Sequence, residues 1–230
     1  MKLKTVSIGD IHGLDYWNQI KPELYDKIIF LGDYVDSYNV SNDVVTNNLL
    51  NIIQFKKDNP DKVVLLLGNH CCQYLFSYDK HGCSGYRPEM YDELHAIFNN
   101  NRNLFHASFQ INDTIWTHAG IHQGWYNDRF YKFAKEFLQE TLSEQLNTAF
   151  YAEYDALFDV GHMRGGFRDV GGPFWCDTSE LNSKPLKTMH QIVGHNRKSK
   201  VYKIYKYNKE IVYTDCLQSR IQFYEKEFII

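Results

Sequence analysis

Residues 28–37 read IIFLGDYVDS, which places two carboxylates directly after an apolar run. Residues 28–31 form the kind of short, continuous apolar stretch that predicts a buried strand. Gly32 then permits a sharp turn, and Asp33 and Asp36 follow, three residues apart. A single Asp after a strand is most often a turn residue or a helix N-cap. The pair therefore indicates a functional site only if other strand ends carry similar side chains.

The surrounding sequence predicts a layered α/β fold. Strands at 4–8 and 62–67 flank the central strand at 27–31, and helices at 14–26 and 42–58 connect them, the second with Ser41 as N-cap. This alternation predicts a largely parallel sheet covered by helices. The later elements predict a second, antiparallel or mixed sheet: strands at 104–111, 113–117, 190–194, 200–207, 210–215 and 220–225, helices at 89–98, 128–147 and 149–158, and hairpin turns at Asn112 and Asn208-Lys209.

Five strand ends each deliver a glycine beside Asp, His or Asn. The segments are GDIHG (9–13), GDYVD (32–36), GNHC (68–71), HAG (118–120) and GHN (194–196). Ligands of open α/β sheets bind just past the carboxyl ends of the strands. Each segment alone would be an ordinary turn, but five independent turns are not expected to share one ligand chemistry. We therefore expect these side chains to meet in one site.

The chemistry that these residues predict is a dinuclear metal site. Carboxylate, imidazole and amide ligands suit Mn²⁺, Fe, Zn²⁺ or Mg²⁺, and the thiolates of a structural zinc site are missing. Asp10 and His12, two residues apart, can point to one side of an extended loop, and Asp33 fits the bridging role. Two such ions supply an activated water and neutralise phosphate oxygens. Asp36 is then free to orient His70, which could act as general acid.

These motifs resemble those of the calcineurin-like metallophosphoesterases, most closely the phosphoprotein phosphatase branch. The family pattern is GD-x-HG, GD-x-VD-RG, GNH-E, a later H-A/G-G and a later H, and the similarity runs from Gly9 to about Asp215. The resemblance implies a four-layer α/β/β/α sandwich, here a single domain over residues 1–230. It also implies two divalent metal ions, Mn²⁺ as the first expectation and Fe, Zn²⁺ or Mg²⁺ as alternatives. The implied ligands are Asp10, His12 and Asp33 for one metal and Asp33, Asn69, His118 and His195 for the other, with His70 as general acid and Asp36 as its partner.

The chain departs from the family pattern at two positions. The family arginine that grips phosphate is Ser37 here, and the acid after GNH is Cys71. An arginine contacts phosphate through charge-assisted, bidentate bonds that serine cannot make. We expect a substitute among three arginines, each of which could also be a solvated surface residue, and we expect Asn69 to contact the substrate as well. The candidates are Arg164, Arg168 and Arg197, of which Arg164 is assigned the role of the family's second phosphate-binding arginine.

Another segment, GGPFWCD (171–177), resembles a tryptophan-containing stretch near the family's site. Phe174 and Trp175 are nevertheless expected to be core residues, because large aromatic side chains contribute most to core packing.

The predicted activity is hydrolysis of a phosphomonoester by direct attack of water. A serine/threonine protein phosphatase is the first expectation, with a phosphorylated protein or a small phosphoester as substrate. The alternatives are a dinucleoside tetraphosphate hydrolase and a phosphodiesterase or nuclease acting on cyclic nucleotides or nucleic acid. A non-catalytic scaffold is disfavoured because every ligand position is filled. Screening with Mn²⁺ over monoesters, diesters and phosphopeptides would separate these classes.

Composition limits the remaining possibilities. The formal net charge of −3 argues against binding nucleic acid through bulk positive charge, although a local basic patch stays open. No apolar run has the length of a signal peptide or a membrane span, so we expect a cytoplasmic protein without membrane association. The 5 cysteines form no CxxC pair, which predicts free thiols. The sequence carries no indication of oligomeric state.

Overall fold

Two five-stranded sheets organise the protein, whose computed structural model describes residues 2–229. The strands are β1 (Lys2–Ile8), β2 (Lys27–Phe30), β3 (Val63–Leu66), β4 (Phe105–His106), β5 (Ser108–Ile111), β6 (Thr114–Thr117), β7 (His190–Val193), β8 (Tyr202–Lys206), β9 (Lys209–Tyr213) and β10 (Tyr224–Ile229).

The first sheet has the strand order β10-β1-β2-β3-β4. Strands β1 to β4 run parallel, and β10 pairs antiparallel to β1 at one edge. The prediction of a largely parallel N-terminal sheet is therefore confirmed. Because parallel strands end at the same edge, the residues that follow β1, β2 and β3 emerge side by side.

The second sheet has the order β5-β6-β7-β9-β8. Its three central strands β6, β7 and β9 are parallel, whereas β5 and β8 pair antiparallel at the edges. This is the mixed sheet that the sequence predicts, and it again aligns the carboxyl ends of its central strands.

Short helices and 3₁₀ turns connect the strands. The α-helices are α1 (Asn42–Asp58), α2 (Asn69–Leu75), α3 (Tyr78–His81), α4 (Tyr91–Asn100), α5 (Gln123–Trp125), α6 (Tyr131–Ala134), α7 (Leu142–Tyr151) and α8 (Thr178–Ser183). A π-helical turn covers Tyr126–Phe130, and 3₁₀ turns cover Tyr16–Gln19, Pro22–Leu24, Pro88–Met90, Arg102–Leu104, Lys135–Phe137, Asp155–Phe158 and His162–Arg164.

The sheets stack face to face, with helices on both outer faces. Ile29 and Leu66 of the first sheet share one buried cluster with Trp116 and Val212 of the second. Trp116 Nε1 also donates a hydrogen bond to Ser7 Oγ across the interface, at 2.9 Å. The opposite faces pack against helices: the outer face of β2 and β3 joins a cluster with α1, and that of β7 and β9 joins one with α8. The predicted four-layer α/β/β/α sandwich is confirmed.

The chain passes from the first sheet to the second through a single residue. Ala107 alone separates β4 from β5, and it is buried. The side chain of Asn147 holds this crossing, because its Oδ1 accepts the N–H groups of Ala107 at 2.9 Å and Ser108 at 3.1 Å. The predicted continuous strand over 104–111 is therefore wrong, since its two ends belong to different sheets.

Three further predictions of local structure are corrected. The helix expected over 14–26 is two 3₁₀ turns, because Ile20 and Lys21 are extended before Pro22, and a residue before proline avoids the helical region. The helix expected over 128–147 is broken before Thr141, whose capping box with Glu144 starts α7. The C-terminal hairpin turns at residues 207–208, both with positive φ, one position earlier than expected.

Candidate metal centre and active site

The six predicted metal ligands converge from both sheets. Asp10 and His12 follow β1, Asp33 follows β2, and Asn69 starts α2 after β3. From the second sheet come two histidines, His118 after β6 and His195 after β7. All but the fully buried His118 line one cavity of about 1000 Å³.

Asp33 is the residue that two ligand groups share. Its carboxylate lies with His12 and His70 in one group and with His118 and His195 in another. Within each group the ligand-capable atoms lie within 4.8 Å of one another. This arrangement is what a carboxylate bridging two metal ions requires.

The hydrogen bonds of two histidines fix which ring nitrogen is free. His118 Nδ1 faces the carbonyl of Leu31 at 2.7 Å, and His12 Nδ1 faces that of Val35 at 2.9 Å. A carbonyl only accepts, so each Nδ1 carries a proton, and in the neutral ring each Nε2 then presents a lone pair. The Nε2 of His118 nevertheless lies 3.3 Å from Asp33 Oδ2 and 3.0 Å from the amide oxygen of Asn69. The Nε2 of the neutral ring thus converges with two oxygens, Asp33 Oδ2 and Asn69 Oδ1, and such a set of nitrogen and oxygen donors fits a divalent metal ion.

His195 completes this group. Its Nδ1 lies 2.9 Å from Asn69 Oδ1, while its buried Nε2 has no hydrogen-bond partner within the described residues. Burial lowers the pKa of His195 well below its usual value. The ring is therefore neutral, which is the form that ligates a metal.

Crowded carboxylates give the site a negative charge. Asp10, Asp33 and Asp215 are all buried. Burial, followed by the charges of Asp215 and Asp33, raises the pKa of Asp10 well above its usual value. Burial and the charge of Asp33 also raise the pKa of Asp215 to about 6. Divalent cations would offset this repulsion, which is a second sign that the residues fit metal ions.

Four of the converging residues adopt left-handed backbone conformations. The φ angles are 43° for His12, 48° for Asp33, 64° for Asp36 and 60° for His195. Left-handed backbone costs a residue with a Cβ roughly 1–2 kcal/mol, and strain of this kind concentrates at functional sites. In return, the chain turns sharply at each of these residues, soon after its strand ends, and the side chain lines the cavity.

Two glycines allow the close approach of neighbouring segments. A Cβ at Gly68 would overlap the carboxylate of Asp33, and a Cβ at Gly194 would overlap that of Asp10. This explains why the GNH and GHN segments begin with glycine.

Asp36 and His70 form a pair at the edge of the candidate metal-ligand cluster. His70 Nδ1 lies 2.8 Å from Asp36 Oδ2, and the backbone N–H of His70 donates to Asp33 Oδ1 at 3.0 Å. Burial alone would lower the pKa of His70, but Asp33 and the bond to Asp36 raise it well above its usual value. With Nδ1 committed to Asp36, Nε2 is the nitrogen available to another group.

The three candidate arginines line the same cavity but differ in their partners. Arg164 Nε lies 2.9 Å from Asp177, and Arg168 Nε lies 3.0 Å from Asp159. Arg197 is exposed, and the ion pairs of residues 2–229 leave it without a carboxylate partner. Ser37 is buried and does not line the cavity, and its carbonyl accepts a bond from the guanidinium of Arg87.

Other residues of the site were not predicted from the sequence. Asp215 lies two residues after β9, and this strand end was the signal that could have found it. Trp175 is only half-buried, lines the cavity and places its ring 5.9 Å from that of His195. The expectation that Trp175 is a core residue is confirmed only in part, because its side chain packs against the core but also lines the cavity, whereas Phe174 is fully buried as expected. Cys83 lines the cavity beside His70.

The cysteines carry free thiols. None of the five in the described chain forms a disulfide, as predicted. Burial raises the pKa of Cys71 and of Cys72 well above its usual value. These two thiols, beside His70 in sequence, therefore have little thiolate character.

A family model described as calcineurin-like phosphoesterase matches residues 3–206. The chain belongs to the calcineurin-like phosphoesterase family. Membership makes this phosphoesterase a metal-dependent hydrolase, and the family typically binds two divalent metals. A comparison with the curated proteins found no match.

Solved structures of phosphatases share the fold of this phosphoesterase. One mutant of a cold-active protein tyrosine phosphatase has a TM-score of 0.55 and 17% identity, over 93% of this chain and 71% of that one. The cold-active protein tyrosine phosphatase of a psychrophilic Shewanella species has a TM-score of 0.52 and 16% identity, over 93% and 71%. A protein serine/threonine phosphatase from Saccharomyces cerevisiae, with similarity to human phosphatase PP5, has a TM-score of 0.51 and 13% identity, over 93% of this chain and 67% of that one.

The helices of this phosphoesterase are not membrane spans. Within residues 2–229, none combines the length and the apolar character that crossing a bilayer requires.

Proposed function

We propose that the protein is a phosphomonoesterase of the protein phosphatase type, with a dinuclear metal centre held by Asp10, His12, Asp33, Asn69, His118 and His195. The observation that carries the proposal is the Asp36–His70 pair, 2.8 Å apart, beside the ligand groups in an open cavity. When bound, the two divalent metals supply an activated water and neutralise phosphate oxygens.

His70 is assigned the role of general acid. A phosphoserine or phosphothreonine ester leaves as an alkoxide, which needs a proton in the transition state. The Asp36 carboxylate stabilises the protonated imidazole and fixes its orientation, so that Nε2 donates to the departing oxygen. A phosphoanhydride or an activated ester needs this help less, which makes the pair most useful for alkyl monoesters.

Arg197 is assigned the phosphate-binding role that Ser37 cannot fill. Arg164 and Arg168 are each held by a carboxylate, whereas Arg197 is exposed at the cavity without one. A free guanidinium can bind a dianionic phosphoryl group through two charge-assisted bonds. Arg164 and Arg168 would contribute positive potential at the cavity wall, and Asn69 would contact the substrate beside the metals.

The cavity has room for more than a phosphate. Its volume of about 1000 Å³ and the exposed rings of Tyr38 and Phe167 at its lining suit a peptide or another extended leaving group. The structural neighbours are, by their titles, protein tyrosine and serine/threonine phosphatases, and this likeness supports a phosphoprotein substrate.

The test is an activity screen of the Mn²⁺-loaded protein. The substrates are p-nitrophenyl phosphate, its bis ester, phosphoserine and phosphotyrosine peptides, and diadenosine tetraphosphate, with His70→Asn as control. We expect the phosphopeptides and the monoester to be hydrolysed faster than the diester and the tetraphosphate. Faster turnover of the bis ester or of the tetraphosphate would instead assign the protein to one of those two hydrolase classes.

A further inference from the structure

Two side chains of α2 besides His70 bond to Asp36. Gln73 and Tyr74 follow His70 by three and four residues, so all three lie on one face of the helix. Gln73 and Tyr74 are both fully buried. Neither residue type matches a motif that the sequence analysis used.

The two side chains complete the hydrogen bonding of the carboxylate. Tyr74 Oη donates to Asp36 Oδ1 at 2.6 Å. Gln73 Nε2 donates to Oδ2, the oxygen that also accepts from His70 Nδ1 at 2.8 Å. A buried carboxylate can only accept, and it is costly to bury unless donors surround it. The three donors from one helix therefore satisfy the carboxylate and hold Asp36 in place.

The same two side chains connect the pair to the cavity wall. Gln73 Oε1 accepts the backbone N–H of Cys83, and Tyr74 Oη accepts that of Arg87, both at 3.0 Å. Residues 82–84 line the cavity. Each side chain thus makes two bonds, which fixes the orientation of the Gln73 amide and of the Tyr74 hydroxyl. The rim segment, residues 82–84, is thereby attached to Asp36 through Gln73, and the backbone of Arg87, beyond the rim segment, is attached through Tyr74.

We propose that Gln73 and Tyr74 are positioning residues for the general acid: they fix Asp36, so that His70 presents Nε2 in one orientation at a cavity wall formed by the rim segment. This inference rests on the proposed function of the site for its catalytic consequence, but its structural content can be measured independently. Burial and the charge of Asp36 raise the pKa of Tyr74, so the phenol stays a donor.

The first test is spectroscopic and uses the metal-free protein. With ¹⁵N-labelled histidine, the Nδ1–H of His70 bonded to Asp36 should give a downfield proton resonance that disappears in His70→Asn. Tyr74→Phe and Gln73→Met should broaden it or move it upfield. Tyr86→Phe is the matched control, because Tyr86 stacks on Tyr74 with ring centroids 5.4 Å apart but does not bond to Asp36. An unchanged resonance in both test variants would overturn the proposal.

The second test is kinetic and compares two leaving groups. Removing a bond to a charged acceptor in Tyr74→Phe should lower kcat for phenyl phosphate about 10-fold, and lower it less for p-nitrophenyl phosphate, whose leaving group needs little protonation. Tyr86→Phe should retain wild-type kcat for both. Equal losses for the two esters would indicate a purely structural role and contradict the proposal. If the wild type hydrolyses neither ester, the proposed function fails, while the spectroscopic comparison still decides the positioning role.

Discussion

His118 Nε2 lies 3.3 Å from Asp33 Oδ2, although the two residues follow strands of different sheets. The Nδ1 of His118 is committed to the carbonyl of Leu31 at 2.7 Å, so Nε2 is the nitrogen that the neutral ring offers as a ligand beside the Asp33 carboxylate. Each sheet thus contributes part of the candidate ligand set, and neither sheet contributes all of it. A metal bound here would join the two sheets in addition to serving catalysis.

The Asp33→Asn variant should lose both metal and activity. A neutral amide cannot offset the charge of two dications as a carboxylate does. We expect wild-type protein to contain about two metal ions per chain by elemental analysis, and the variant to contain less than one and to be inactive. Asp26→Asn is a control, because Asp26 is an acid that lies outside the cavity lining.

Chelation provides an independent readout of the same site. Ligands that bind only the folded state raise its stability by about 2.7 kcal/mol at a concentration of 100 Kd. For a protein of this size, EDTA should therefore lower the Tm of the wild type by roughly 5–10 °C. The Asp33→Asn variant should show no such shift. An EDTA effect of equal size in both proteins would contradict the assignment of Asp33.

The His70→Asn variant should keep its metals but react slowly. General acid catalysis typically accelerates a reaction roughly 10²–10⁴-fold. We therefore expect kcat for phenyl phosphate to fall by a factor of roughly 10²–10⁴ in this variant. The loss should be much smaller for p-nitrophenyl phosphate. Kinetics and elemental analysis of the same preparation check both statements, and equal losses for the two esters would argue against His70 as the acid.

Arg197→Ala should weaken the binding of dianionic substrates. Loss of one exposed charge-assisted contact should raise KM for monoesters roughly 10-fold, and raise it less for diesters, which carry one charge fewer. Arg220→Ala, another exposed arginine but outside the cavity lining, is the matched control. Ser37→Arg should not improve monoester turnover, because Ser37 is buried and lies against the Arg87 guanidinium. A gain in that variant would show that position 37 reaches the substrate after all.

His81 should make the fold sensitive to acid. Its ring is buried between Phe76 and Phe158, with centroids 5.0 and 4.6 Å away, and burial followed by the charge of Lys80 lowers the pKa of His81 to about 4. The unfolded chain, with a histidine pKa of about 6.5, binds the proton more readily. Stability should therefore fall as the pH drops from about 6.5 to about 4.

The measurement is urea unfolding in EDTA at pH 7 and pH 4.5. We expect the wild type to lose about 2 kcal/mol more than His81→Gln across that interval, with allowance for solvent screening. His162→Gln, which alters a histidine on the exposed 3₁₀ turn, should behave as the wild type does. Identical pH dependence in wild type and His81→Gln would contradict the prediction.

The sequence predicted the strands and the parallel sheet because these signals are local, whereas the four-layer arrangement was implied only by the family resemblance. The apolar runs of β1, β2 and β3 and the apolar pattern of α1 need no tertiary information, although Ser41 at the N-cap position of α1 makes no side-chain capping bond. The segment 14–26 has the length of a helix, but Pro22 interrupts it, because the residue before a proline avoids the helical region. The crossing at Ala107 was missed because a strand pattern does not reveal to which sheet its two ends belong.

Site residues that belong to short sequence motifs could be predicted. Site residues that depend on contacts between distant parts of the chain could not. Asp215 acts on Asp10 across 205 residues of chain, and no pattern near either residue signals that approach. Gln73 and Tyr74 lie beside a motif, but their bonds to Asp36 depend on the left-handed turn at Asp36. Trp175 is a large aromatic residue of the kind that usually packs in a core. Only the three-dimensional placement of its segment beside His195 shows that it also lines the cavity.

The one-residue crossing at Ala107 also determines how the enzyme can move. Hinge closure needs a few residues that absorb large changes in φ and ψ, and here both N–H groups at the junction are bonded to Asn147. The C-terminal strand β10 returns to the first sheet and interlocks the two layers a second time. We therefore do not expect the two sheets to open and close about a hinge around a substrate. We therefore expect substrate entry and product release to depend on the small loops around the cavity mouth, while the strand ends that carry the candidate ligands keep their positions.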